Sequence, residues 1–193
     1  MTLDLNEIQG RLIYSIIVAG KSAKFADRAI GELMKLLLQH NRVSPFEAIR
    51  VLVKVKKLGY FLRLAKVGNY TKIERALREM VAADLDLTKC RPQDLERIHG
   101  IGPKTSRFFI LWTRPTERYA ALDVHILRWM RSIGYDAPTS TPTGAKYLEL
   151  EAAFIHEADE RGVTPRELDF SIWADASGYA GPVQTGPRRE LLA

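Results

Sequence analysis

Cysteine is nearly missing from this 193-residue chain, with Cys90 the only one. That excludes an internal disulfide and any metal or iron–sulfur site built from cysteines alone. Long apolar runs are missing too. The longest, residues 12–20, includes Tyr14 and Ser15 and falls far short of the roughly 20 residues a bilayer span needs. The opening Met-Thr-Leu-Asp-Leu-Asn-Glu lacks the basic head of a signal peptide. Two-residue alternation, the mark of half-buried strands, is confined to Val53-Lys54-Val55-Lys56, which reads as a helix end because no partner strand is in view. Internal repeats and low-complexity tracts are absent. What is left is a soluble intracellular protein, all-α, with room for one good core or two small interlocked lobes. A net charge of +6, from 29 basic and 23 acidic residues, suits a polyanionic partner but is weak evidence alone.

Helical spacing, by contrast, is nearly everywhere. Leu5, Ile8, Leu12, Ile13 and Ile16 form one stripe, and Phe25, Ala29, Leu33 and Leu36 form the inward face of a helix over 24–40. Ser44-Pro45-Phe46-Glu47, Thr71-Lys72-Ile73-Glu74 and Thr164-Pro165-Arg166-Glu167 each read as a capping box, a hydroxyl cap with a glutamate three residues on. Residues 134–144 make the clearest linker. Helices over 145–161 and 165–176 follow, and the Gly- and Pro-rich tail beyond Ser177 is expected to be irregular.

The stretch 95–123 carries the chemistry. Leu95 and Ile98 belong to a first short helix, and Gly100-Ile101-Gly102 follows at once. Two glycines permit the positive φ of a tight bend and let backbone amides approach a ligand closely. Pro103 starts a second helix whose free N-terminal amides favour an anion, and a nucleic-acid phosphate is the natural one for a basic protein. Lys104 stands second in that helix, and Asp123 comes nineteen residues later, ahead of a helix over 124–133. Taken singly, the lysine reads as a surface cation and the aspartate as an N-cap.

Together these residues resemble a known family. Leu-Glu-Arg-Ile-His-Gly-Ile-Gly-Pro-Lys-Thr-Ser followed by Ala-Leu-Asp-Val-His-Ile-Leu-Arg is similar to the signature of the helix-hairpin-helix DNA glycosylases, the endonuclease III and 8-oxoguanine glycosylase group. Leu58-Gly59-Tyr60 with Ala65-Lys66 resembles the segment preceding the hairpin in these enzymes, so the match runs from about residue 8 to 178. The resemblance implies that Asp123 is the essential carboxylate, and that Lys104 marks a bifunctional enzyme that also cuts the strand. A carboxylate stabilises the positive charge formed at C1′ when an N-glycosidic bond breaks. Lys104 attacking C1′ as a neutral amine gives a Schiff base, and β-elimination then nicks the strand. A free lysine, with a pKa of about 10.4, needs desolvation or a neighbouring cation to be neutral.

Several further assignments rest on the same resemblance. His99, Gly100, Ile101, Gly102 and Thr105 are expected on DNA. The turn that plugs the duplex after base flipping falls at Gly20-Lys21-Ser22-Ala23, making Lys21 or Ser22 the plug, with a plain phosphate contact by Lys21 as the alternative. His125 is placed near DNA or packed at its helix start. Glu167-Leu168-Asp169-Phe170-Ser171-Ile172-Trp173 resembles the C-terminal helix of the compact 8-oxoguanine glycosylases without an iron–sulfur cluster. There Trp173 would stack on a base, although Leu168, Ile172 and Trp173 at helical spacing are more simply core.

The resulting expectation is a small all-α DNA glycosylase with lyase activity. Its substrate is duplex DNA, oxidised guanine being the first guess for the excised base. No cofactor is expected, apart from room for a monovalent cation at the hairpin. The protein is expected to act as a monomer, cytoplasmic and associated with the nucleoid. One lobe would span 20–133, the other 1–19 with 134–193, and Lys104 and Asp123 would face the cleft between them. Two alternatives stay open: a glycosylase for another modified base, including those of foreign DNA and including a monofunctional one, and a non-catalytic DNA-binding module. An α-helical protein-interaction domain is the more distant rival.

Overall fold

The computed structural model describes residues 3–21, 23–38 and 44–177. Among the described residues there are ten helices and no strand. Ser22, the expected end of the second helix at residue 40, and the tail from 178 lie outside the described residues.

The chain divides into two compact units, changing over between Ile101 and Gly102. The first contains α1 (Leu5–Val18), α2 (Ala23–Leu38), α3 (Pro45–Lys54), α4 (Leu58–Leu64), α5 (Tyr70–Ala83) and the single turn α6 (Pro92–Leu95). The apolar stripe of α1 packs on α2, α3 and α5, burying Leu12, Ile13 and Ile17 with Ile30, Leu33, Ile49 and Leu77. This grouping differs from the expected lobes of 20–133 against 1–19 plus 134–193. Residues of α1 are buried among α2, α3 and α5, and α7 onward groups with the C-terminal helices instead.

The second unit holds α7 (Pro103–Thr113), α8 (Val124–Ser132), α9 (Gly144–Glu160) and α10 (Pro165–Ser177). Ile126, Leu127 and Met130 of α8, Tyr147, Leu150 and Phe154 of α9, and Leu168 and Ile172 of α10 form one buried cluster. At roughly 1.5–3 kcal/mol per buried large apolar side chain, this cluster is what fixes α10 against α8.

Local signals explain most helix starts. Ser44 accepts the Glu47 amide at 3.2 Å, and Thr164 and Glu167 form the full reciprocal box. An unexpected box joins Asp4 and Glu7 at the head of α1. The reading of Thr71 as a cap does not hold. There α5 begins at Tyr70, two residues earlier than a Thr71 cap would place it, behind Asn69, which sits in the left-handed region at φ 43°, so Thr71 is already inside the helix. The Val53–Lys56 stretch is a helix end, as expected: α3 stops at Lys54 and Lys56 takes φ 58°.

Candidate active site

The hairpin is built from less helix than its sequence implies. Only Pro92–Leu95 forms a helical turn, and Ile98 lies in the turns that follow. Its bend is held from α5, where the Glu79 carboxylate accepts the His99 amide at 2.6 Å. Gly100 has φ +82°, so its backbone conformation favours glycine, whereas the nearest atom to an added Cβ, Lys72 Cε at 2.9 Å, belongs to a flexible side chain that can move aside. Gly102 needs a different account. It is the N-cap of α7 at φ −97° and ψ 179°, extended backbone open to any residue, and a Cβ there would meet nothing within 4 Å. The expectation of positive φ therefore holds for Gly100 and is corrected for Gly102. No packing demand within the protein calls for glycine at 102.

The other residues expected on DNA are distributed as follows. Ile101 and Thr105 have buried side chains, so any ligand contact they make uses the backbone. Lys21 Nζ donates to Ile17 O at 3.0 Å and Val67 O at 2.7 Å and lies over the Phe25 ring. It thereby ties the end of α1 to the turn before α5. Burial, and then Lys72, hold the Lys21 amine below the usual lysine range. His125 is half-buried at the head of α8, and its Nδ1 is enclosed with no hydrogen-bond partner among the described residues.

Lys104 and Asp123 both belong to the second unit. Lys104 is half-buried on the first turn of α7, with Nζ 4.7 Å from the centre of the Phe108 ring one turn on. Asp123 is the N-cap of α8, and Oδ1 alone accepts both the His125 amide at 2.8 Å and the Ile126 amide at 3.0 Å. Oδ2 is used by neither bond. The capping role and a chemical role are thus compatible in one side chain.

A third ionisable group joins them. Asp169 of α10 is only partly accessible, and burial, then the Asp123 charge, push its carboxyl up to about 7, while Lys104 and Arg166 act in the opposite direction. Arg166 is anchored by donating to Leu111 O at the end of α7 at 2.7 Å. Arg166, Asp169 and Trp173 stand three and four residues apart, on one face of α10, while Leu168 and Ile172 turn into the core. Trp173 itself is half-buried beside Phe170, ring centres 6.0 Å apart. The sequence reading passed over Asp169. The helical spacing that placed Leu168 and Ile172 in the core also marked Asp169 as lying on another face, but nothing in the sequence reveals what that face meets.

Asp169 has a consequence for stability. Its proton affinity is higher folded than unfolded, so between about pH 4 and 7 the native state holds the extra proton and stability falls as pH rises. Asp169→Asn is therefore expected to be more stable than the parent at pH 8, with the difference vanishing below about pH 4. At about 1.4 kcal/mol per tenfold change in proton affinity, the gain is bounded by about 4 kcal/mol. Urea unfolding at the two pH values measures it.

No group of three or more His, Cys, Asp or Glu side chains able to hold a metal occurs among the described residues. None of the described helices is long and apolar enough to cross a membrane. What the site offers is a lysine on the first turn of a helix, a carboxylate whose second oxygen takes no part in the cap, and a second carboxyl whose proton affinity is raised to about 7.

Comparison with known proteins places the chain in a family. The family model described as 8-oxoguanine DNA glycosylase matches residues 3–163. An 8-oxoguanine DNA glycosylase/AP lyase of Picrophilus torridus is 26% identical over 196 residues, covering 91% of this chain and 93% of that protein. Two crystal structures share the fold. The 8-oxoguanine DNA glycosylase of Thermotoga maritima has a TM-score of 0.65 at 24% identity, covering 92% of this chain and 83% of the other. That of Methanocaldococcus jannaschii has a TM-score of 0.64 at 23% identity, covering 90% and 79%. With a family model spanning the hairpin, Lys104 and Asp123 alike, the chain belongs to the helix-hairpin-helix family of 8-oxoguanine DNA glycosylases.

Proposed function

We propose that this chain excises oxidised guanine from duplex DNA and then cuts the strand, with Lys104 as nucleophile and Asp123 as the stabilising carboxylate. The observation that carries the reading is that Lys104, on the first turn of α7, and Asp123, capping α8, both act electrostatically on the Asp169 carboxyl of α10 in a chain of this family. Lys104 Nζ attacks C1′ of the flipped nucleotide and the C1′–N bond breaks, the electron pair leaving with the base. Opening of the sugar ring gives the imine, and loss of a C2′ proton expels the 3′ phosphate. The Asp123 carboxylate faces the positive charge that develops at the sugar. Asp169, with its carboxyl pushed up to about 7, still carries its proton in a good part of the population at neutral pH, which limits the negative charge crowded beside Asp123.

All of this chemistry uses side chains, without a cofactor, on a monomer acting where cellular DNA is. Base stacking on Trp173, and contacts from His99, His125 and Lys21, belong to the same proposal. A set of otherwise identical duplexes, each with one modified base, tests the substrate. Release is expected to be fastest from 8-oxoguanine, and faster release of an alkylated or deaminated base would overturn that choice.

Gly102 supplies a separate test of the DNA interface. A bare N-cap amide with open space in front of it fits a phosphate oxygen drawn to the helix N-terminus. Gly102→Ala is expected to change thermal stability by no more than about 1 kcal/mol, the unfolded-state gain of alanine being opposed by its poorer fit at an N-cap. Duplex affinity at fixed salt is expected to fall about tenfold, because the methyl group stands where the phosphate must approach, and a binding titration measures it.

A further inference from the structure

Asp123 is delivered by a short segment, residues 120–122, that belongs to no helix and, among the described residues, has no strand beside it. Ala120, Ala121 and Leu122 are all buried, so their polar backbone groups need partners. Side chains provide them for Ala120 and Leu122. The Ala120 amide donates to Glu151 Oε1 at 3.0 Å, and Ala120 O accepts from the Tyr147 hydroxyl at 2.7 Å. The Leu122 amide donates to the same hydroxyl at 3.2 Å, and Leu122 O accepts from Thr141 Oγ1 at 2.9 Å. Tyr147 and Glu151 lie one turn apart on α9, so a single helix face does the work of a neighbouring strand for the residues just ahead of Asp123.

The same face also grips the helix that carries Lys104. Arg107, one turn beyond the lysine, is buried and donates Nε to Glu151 Oε1 at 2.9 Å and Nη2 to Glu151 Oε2 at 3.3 Å. Its guanidinium lies 4.8 Å from the Tyr147 ring centre. Nη1 points at Ser106 Oγ, 3.3 Å away, and that hydroxyl donates to Pro103 O at 2.9 Å, the carbonyl immediately before Lys104. Glu151 Oε1 therefore holds the Arg107 side chain and the Ala120 amide at once.

We propose that Tyr147 and Glu151 of α9, with Arg107 of α7, are positioning residues that fix the Lys104-bearing helix and the Asp123-bearing segment in register for the reaction at C1′. The inference rests on the reading of Lys104 and Asp123 as the catalytic pair. A buried bidentate ion pair suits this role better than it suits stability. Its desolvation offsets much of its attraction, while its planar geometry fixes an orientation. Displacing a reacting group by about 1 Å can lower a rate on the order of a hundredfold without touching substrate affinity.

The test uses Tyr147→Phe, which keeps ring and volume and removes only the hydroxyl shared by Ala120 and Leu122. The full-length protein is mixed in excess with an 8-oxoguanine duplex, and the single-turnover rate of borohydride-trapped adduct is compared with duplex affinity. A fall of about tenfold or more in the trapping rate is expected, with affinity unchanged within about twofold. A trapping rate equal to the parent's in the folded variant, or a loss accounted for by affinity, would overturn the proposal. Thr141→Val is the second variant, should Tyr147→Phe fail to fold. It removes the Leu122 O bond at an exposed position and is expected to slow trapping in the same sense, about threefold. Trapping at the parent's rate in Thr141→Val then counts against the proposal equally. Absence of adduct with the parent protein would overturn the catalytic reading itself, and this inference with it.

Discussion

Replacing Lys104 by glutamine is expected to abolish the borohydride-trapped protein–DNA adduct and to slow strand cleavage by at least about a thousandfold. Only a primary amine can form the imine that borohydride reduces, and glutamine keeps the length of the side chain without that chemistry. Binding should survive. Lys104 is one half-buried cation on the first turn of α7, resting over Phe108, while the hairpin amides are untouched by the change. Duplex affinity is therefore expected to stay within a few-fold of the parent. The pairing of lost adduct with retained binding separates a nucleophile from a phosphate contact. A phosphate-contacting lysine would weaken affinity and its salt dependence together, leaving the chemistry of bound DNA intact.

Asp123→Asn is expected to lower the excision rate by about a hundred- to a thousandfold while leaving the fold in place. The two functions of the residue come apart in this variant. Asparagine caps helices about as well as aspartate, and its side-chain oxygen can take over the amides of His125 and Ile126 that Oδ1 holds now. What disappears is the negative charge. Asp123→Ala is the companion: it should lose the rate to a similar degree and also about 1 kcal/mol of stability, through loss of the cap. If Asn and Ala lose activity only in proportion to lost folding, Asp123 is a cap and nothing more. Single-turnover excision and thermal unfolding on the three proteins decide between these.

Much of this site was legible because its signals are local. The hairpin glycines, the lysine after Pro103 and the aspartate before Val124 lie in one continuous stretch, and each residue type is restricted by its own chemistry. Helix starts at Ser44 and Thr164 were legible for the same reason, since a cap and its glutamate are three residues apart. Thr71 misled because Asn69 adopts left-handed backbone and starts α5 earlier, and a hydroxyl pattern cannot register that. The second unit's wiring was not legible at all. Arg107 meets Glu151 across forty-four residues, and nothing in either neighbourhood marks them as partners. Asp169 was hidden similarly: its raised proton affinity comes from burial and from Asp123, both products of α10 packing on α8. The packing of α1 on α2, α3 and α5 was not legible either, because amphipathic stripes say which face is buried, but not against which helix.

The catalytic assignment makes one demand that no accessory detail can satisfy: strand scission must follow base loss on the enzyme itself. The direct measurement is cleavage of a duplex carrying a single 8-oxoguanine, quenched with and without hot alkali. The account predicts breaks at the modified site without alkali, to nearly the extent seen with it, in the parent protein and not in Lys104→Gln. Breaks that arise only after alkali would contradict it, because the base would then be leaving by hydrolysis and Lys104 would not be forming the imine.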